Sequence, residues 1–194
     1  MATSEVAISN RALQKLGASR IESFDQDHPN ARSASTAYEP CRDRLLRKYA
    51  WNFAVKRASV AADATETTWG GLNRFQKPND FMRLLRNKEI GSSNQDVRHD
   101  WQIEGNYIIT ADGAPLQFRY VAKIEDTSQF DPLFDELLAT VMAYEMCEEV
   151  TGSKSQRDDL WDDMKDILLE ARQANAYEND ADIPPEDDWL LARL

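Results

Sequence analysis

Histidines, cysteines and carboxylates are the side chains that could do covalent or acid–base work in this chain, and their arrangement argues against it. The two histidines, His28 before Pro29 and His99, stand apart with no partner motif, so neither is expected to bind metal or move protons. Cys41 and Cys147 are isolated thiols with no His/Cys spacing suited to zinc. A disulfide between them is the less favoured alternative to two reduced thiols, as in a reducing cytoplasm. Acids are abundant, for instance Glu145, Glu148 and Glu149. A glycosidase, however, needs two carboxylates facing each other across a cleft, roughly 5–9.5 Å apart. A helical run of acids is more often a solvated face. The expectation is no catalytic residue, no cofactor and no metal.

Charge offers a different chemistry, that of partner binding. The chain carries a net charge of −11, unevenly spread. Residues 1–124 hold 18 Lys and Arg against 14 Asp and Glu, whereas residues 125–194 hold 5 against 20. An acidic half of this kind repels phosphate, so sequence-specific DNA binding is disfavoured. Arg42, Arg44, Arg47 and Lys48 are expected on the outer faces of a helix, by default as a solvated surface. The sharper reading makes them a contact surface for an acidic neighbour. Asp159, Asp162, Asp163 and Asp166 on a later helix are candidates for the matching face. The stretch 179–194 is acidic, contains Pro184-Pro185 and ends Trp189-Leu190-Leu191-Ala192-Arg193-Leu194. It reads as an extended tail, either frayed or ordering when Trp189, Leu190, Leu191 and Leu194 enter a partner's groove.

These residues must be positioned by a fold that the periodicity outlines. At 194 residues the chain is long enough for one domain with a real core, and no apolar run is long enough to span a membrane. The first residues lack the pattern of a signal peptide. Helices are expected over about 4–17, with Ile8, Ala12 and Leu16 inward, and 30–50, with Ala34, Tyr38, Cys41, Leu45 and Tyr49 inward. Pro40 should kink or restart the second. From Trp51 the alternation of Trp51, Phe53 and Val55 reads as a strand opening a β insertion over about 51–124. Within it, Trp69-Gly70-Gly71 and residues 91–96 read as turn and loop. Asn73 to Lys77, Phe81 to Arg86 and Leu116 to Val121 read as strands, and Gly105-Asn106 as a hairpin turn. Asp131 and Pro132 open a wide-arc apolar helix to about 151, and Ser155 caps another over 155–177. Its stripe, with Met and Trp residues along it, should be core. The fold class is α+β: a bundle of about four helices, an inserted small antiparallel sheet and the C-terminal tail, with 1–178 as one domain.

One stretch also carries a resemblance. Arg42-Asp43-x-Leu45-Leu46, then Trp51-Asn52-Phe53-Ala54-x-x-Arg57-Ala58, resembles the signature of bacteriophage head-to-tail adaptors of the tail tubular protein A type. Tyr49-Ala50 stands where many relatives have His-Pro. Residues 101–105, 109–110, 116–120 and Phe130-Asp131-Pro132-x-Phe134 follow the family's order, so the resemblance spans roughly residues 4–178. It implies a structural virion protein, made in the host bacterial cytoplasm. There it would form a ring, dodecameric in the family, under the portal protein and above a tail tube or nozzle, and genome DNA would pass through without specific binding. Portal docking would fall to the tail and subunit pairing to the charged helices. Some relatives are credited with cell-wall hydrolysis, which makes a peptidoglycan hydrolase the enzymatic alternative. A host-directed binding module is a third reading.

Overall fold

The computed structural model describes residues 4–64, 72–85 and 101–178, and the chain in it divides into two compact units. Trp69-Gly70-Gly71, residues 91–96, His99 and the tail 179–194, for which the sequence raised expectations, lie outside the described residues. The fold is α+β; among the described residues it has four helices and two three-stranded antiparallel sheets in place of the single sheet expected from sequence.

The helical unit comprises Met1–Ala54 and Ala122–Glu178. Its first helix, α1 (Glu5–Lys15), starts where Ser4 Oγ accepts from the Ala7 N–H at 3.1 Å. Ile8, Ala12 and Leu13 are fully buried. The connection to the next helix is stapled by Asn10, whose side chain accepts from the Ile21 N–H and donates to the Ile21 carbonyl, both at 2.8 Å. Helix α2 (Pro29–Lys48) runs unbroken through Pro40, so the expected restart does not occur. One missing N–H in a 20-residue helix costs a single ladder bond, and flanking turns packed on a neighbour carry the helix across it.

Helix α3 (Pro132–Thr151) is central, packing against α1, α2 and α4. Phe134, Leu137, Leu138, Met142 and Cys147 are fully buried, as the broad apolar arc requires. Asp131 Oδ1 caps it through the Leu133 N–H at 2.8 Å, and Gly152 closes it with φ +66°, a left-handed conformation that glycine adopts without a Cβ penalty. Helix α4 (Lys154–Tyr177) is capped by Ser153, not Ser155: Ser153 Oγ accepts from the Gln156 N–H at 3.3 Å. The Ser-x-x-Gln spacing of a capping box was the signal.

The β unit contains Val55–Val121. Strands β1 (Val55–Val60), β6 (Leu116–Ala122) and β3 (Phe81–Leu85) form one sheet in the order β1-β6-β3. Strands β2 (Asn73–Gln76), β5 (Tyr107–Thr110) and β4 (Gln102–Glu104) form the other, in the order β2-β5-β4. The β4–β5 hairpin turns at Gly105, φ +52°, followed by Asn106, as its sequence dictates. Leu116, Phe118 and Tyr120 alternate inward along β6.

The segment Trp51–Ala54 is not strand. Asn52–Ala54 is a 3-10 turn, and the ladder begins only at Val55, opposite Val121. The reason lies in the backbone donors. The Ala54 N–H donates to the Trp51 carbonyl at 2.9 Å, and the Asn52 N–H is taken by Asn175 Oδ1 at 2.8 Å. Both are satisfied without a neighbouring strand.

Candidate partner-binding surfaces

The basic residues singled out from sequence divide into one core residue and three surface residues. Arg42 is 1% exposed and belongs to the core, which overturns its placement on an outer face. It follows Tyr38 by four residues on the face turned inward. Its Nε donates to Asp43 Oδ1 at 2.9 Å, and its guanidinium carbon lies 5.6 Å from the centre of the Tyr38 ring. Asp43 also faces Lys123 at 3.5 Å, so the buried cation sits in a short charge network. Burial, with a smaller contribution from Glu5, pushes the Tyr38 hydroxyl well above its ordinary pKa. The i, i+4 relation to Tyr38 and the nearness of Leu45 and Leu46 were the signals that Arg42 lies on the apolar stripe.

Arg44, Arg47 and Lys48 are exposed. Arg44 forms an ion pair with Glu145 at 2.7 Å, and Lys48 lies over the Tyr49 ring at 5.3 Å. Glu148 in turn pairs with Arg157 at 2.9 Å. Two of the three carboxylates considered for hydrolysis are therefore tied to cations on the α3 surface.

Helix α4 presents the acids as expected: Asp159, Asp162, Asp163 and Asp166 are all exposed. Asp162 has Lys165 at 2.6 Å. The outer face carries a second, apolar feature, and of its residues the tryptophan was expected in the core. Trp161 is 45% exposed, Leu169 57% and Tyr177 87%. With Lys165 and Gln173 they stand four residues apart, forming one ridge along the helix. Asp158, Asp162, Asp166 and Glu170, also four apart, form a parallel acidic ridge beside it. Leu160 and Ala171 are the buried residues of α4, so most of this 24-residue helix is outward-facing surface.

The signature residues Trp51 to Ala54 close the end of the helical unit. Trp51 is 2% exposed, and its indole Nε1 donates to the Leu45 carbonyl at 3.1 Å. Its ring meets Phe134 edge-on at 5.2 Å and stacks near Phe53 at 6.4 Å. Phe53 meets Phe130 and Phe134 at 5.6 and 5.0 Å but stays half-buried. Asn52 is clamped to the end of α4. Beyond its N–H bond to Asn175, its Nδ2 donates to the Asn175 carbonyl at 2.8 Å and to Glu178 Oε2 at 2.9 Å. A cavity of about 270 Å³ lies here, lined by Trp51, Phe53, Phe130, Pro132 and the polar Asn175 and Glu178.

His28 does structural work that the sequence reading missed. It caps α2, its Nδ1 accepting from the Asn30 N–H at 3.1 Å. Cys41 and Cys147 are both free and buried, and burial pushes the Cys41 thiol up to about 11. Among the described residues, no group of three or more His, Cys, Asp or Glu could hold a metal ion, and no helix is long and apolar enough to cross a membrane. No protein-family model matches the chain, and no match is found among curated proteins.

Proposed function

We propose that the protein is a structural virion component, a head-to-tail adaptor that assembles as a ring under a portal and joins capsid to tail. The observation that carries this reading is the outer face of α4, where the ridge of Trp161, Leu169 and Tyr177 runs beside the acidic ridge of Asp158, Asp162, Asp166 and Glu170. A monomer that leaves most of a long helix in this state has a surface suited to subunit contact. The signature Trp51-Asn52-Phe53-Ala54 supports the resemblance from another side, since those residues hold the ends of α2, α3 and α4 together and act as scaffold.

The electrostatic part of the reading changes with Arg42 in the core. Arg44, Arg47 and Lys48 remain as the cations that face acids of a neighbour's α4, Asp159, Asp162, Asp163 and Asp166 among them. Each such exposed pair contributes only about 0–1 kcal/mol, so the apolar ridge must supply the adhesion and the charges the register. In the assembled virion the tail residues Trp189, Leu190, Leu191 and Leu194 enter an apolar portal groove, and a tail tube or nozzle protein binds below. Genome DNA slides past acidic walls that offer no counterion-release gain.

Mixing the protein with its portal and imaging the product by electron microscopy tests the reading. A ring beneath the portal is expected, and Leu169→Asp with Trp161→Ser should leave portal-free monomer. Absence of any portal-bound product would refute it. Lysis of purified peptidoglycan in a zymogram beside a lysozyme control would favour the hydrolase instead.

A further inference from the structure

Helix α1, helix α2 and the connection between them enclose a second cavity, of about 390 Å³, whose lining includes Glu5, Phe24, Thr36, Tyr38, Glu39 and Pro40. Two carboxylates belong to it. Glu5 is half-buried and Glu39 exposed, and neither takes part in an ion pair among the described residues. Phe24 and Tyr38 contribute two rings, their centres 6.0 Å apart and their planes tilted by 44°. Thr36 and Pro40 are four apart on α2, so they stand one turn above the other. Proline has no N–H, which leaves the Thr36 carbonyl without the helix bond that residue 40 would otherwise supply.

A separate observation points to an occupant. Tyr38 is 2% exposed, and its hydroxyl has no hydrogen-bond partner among the described residues. A buried hydroxyl is normally satisfied, so one left open beside a cavity marks a place for a ligand group. Burial first, and then the Glu5 charge, raise the Tyr38 pKa, which sets that carboxylate and the hydroxyl in one electrostatic neighbourhood. The nearby Arg42 is already paired with Asp43 at 2.9 Å. The cavity therefore offers negative charge, a carbonyl and a hydroxyl oxygen beside aromatic rings. Two carboxylates are too few to hold a metal ion, and no larger group of such ligands exists among the described residues. A quaternary ammonium carries no N–H and would leave the hydroxyl and carbonyl unmatched. A guanidinium has five donors in a planar fork and also packs on aromatic rings. The volume is near the small end for a ligand pocket, which suits one long side chain.

We propose that this cavity is a binding site for an arginine side chain presented by a partner protein, its guanidinium held by the Glu5 and Glu39 carboxylates and donating to the Tyr38 hydroxyl. The apolar stem of the arginine lies against Phe24 and Pro40. This inference needs no portal and stands apart from the adaptor reading.

A nuclear magnetic resonance titration of the full chain with N-acetyl-arginine methylamide at low salt tests it. Saturable shifts are expected at the amides of Glu5, Phe24, Thr36 and Glu39. The citrulline analogue, which matches arginine in shape but carries no charge, should produce none. The lysine analogue should bind at least about threefold more weakly, since an ammonium has fewer donors and no plane to stack. Glu5→Gln/Glu39→Gln should weaken arginine binding at least about tenfold, because hydrogen bonds to charged groups are the strong ones. Tyr38→Phe should weaken it about threefold or more while the Tm does not fall, because the hydroxyl it removes has no partner in the free protein. Undiminished binding in either variant would overturn the proposal. So would equal binding of the lysine or citrulline analogue, an absence of saturable shifts at these amides, or shifts confined to the acidic face of α4, where general charge attraction would be the cause.

Discussion

Replacing Trp51 with alanine removes the largest side chain from the joint where α2 ends and α3 begins. The indole is 2% exposed, meets Phe134 edge-on at 5.2 Å and donates to the Leu45 carbonyl at 3.1 Å. Truncating a buried aromatic of this size costs about 3–5 kcal/mol, of which the edge-on ring contact contributes about 1 kcal/mol. The lost hydrogen bond adds little. The Leu45 carbonyl keeps the Tyr49 N–H at 3.3 Å, so no buried acceptor is orphaned. A total near 4 kcal/mol corresponds to a fall in Tm of about 8–16 °C for a chain of this length. Trp51→Phe keeps a ring in the site and loses the indole donor and part of the packing, so it should cost about 1–2 kcal/mol. Thermal melts followed by far-ultraviolet circular dichroism measure both. A Trp51→Ala variant melting within about 2 °C of the unmodified protein, or a Trp51→Phe variant equally damaged, would refute the assignment of Trp51 to the core.

Other expectations are narrower. Arg42→Ala should destabilise by about 3 kcal/mol, because it leaves a cavity and removes the partner of Asp43, while Arg47→Ala should cost under about 0.5 kcal/mol; equal denaturation midpoints for the two would contradict the burial of Arg42. Cys41 and Cys147 should resist an aromatic disulfide reagent at pH 8 in the native protein and both react in denaturant, since both are buried and burial holds the Cys41 thiol at about 11; rapid native labelling would count against this. Burial works to raise the Asp80 carboxyl, but Lys56 and Tyr120 outweigh it and hold it below the usual range. Its contribution to stability is therefore complete above about pH 4 and is lost as pH falls through the lower folded value. The Tm gap between the unmodified protein and Asp80→Asn should accordingly close between pH 6 and pH 2, and a constant gap would show that the ion pair is not formed. Asn52→Ala removes the two side-chain bonds to the end of α4 and should speed amide exchange over the last turn of α4 without moving that of α1.

Local chemistry was enough for several elements. Asp131-Pro132 fixes the start of α3 because a carboxylate cap and a proline at the first turn satisfy or dispense with the orphan N–H groups on the spot. Gly105-Asn106 sets the hairpin because its backbone conformations are available to few other pairs. The apolar period of α3 foretold its central place, and the acids of α4 were bound to face outward. Other features depend on groups distant in the chain. Trp51–Ala54 alternates like a strand, but Asn175, more than a hundred residues away, takes the Asn52 N–H and leaves a 3-10 turn. Arg42 looks like a surface cation until α3 packs against α2 and Lys123, eighty residues on, joins Asp43 beside it. The division into two sheets follows from β1 pairing with β6 some sixty residues later, a choice no local period encodes. Trp161 reads as core by type, yet its helical position turns it outward beside the acidic ridge. Period and capping act within a turn or two of the chain, whereas burial of a charge, the end of a strand and the exposed side of a helix depend on what the rest of the chain brings to that place.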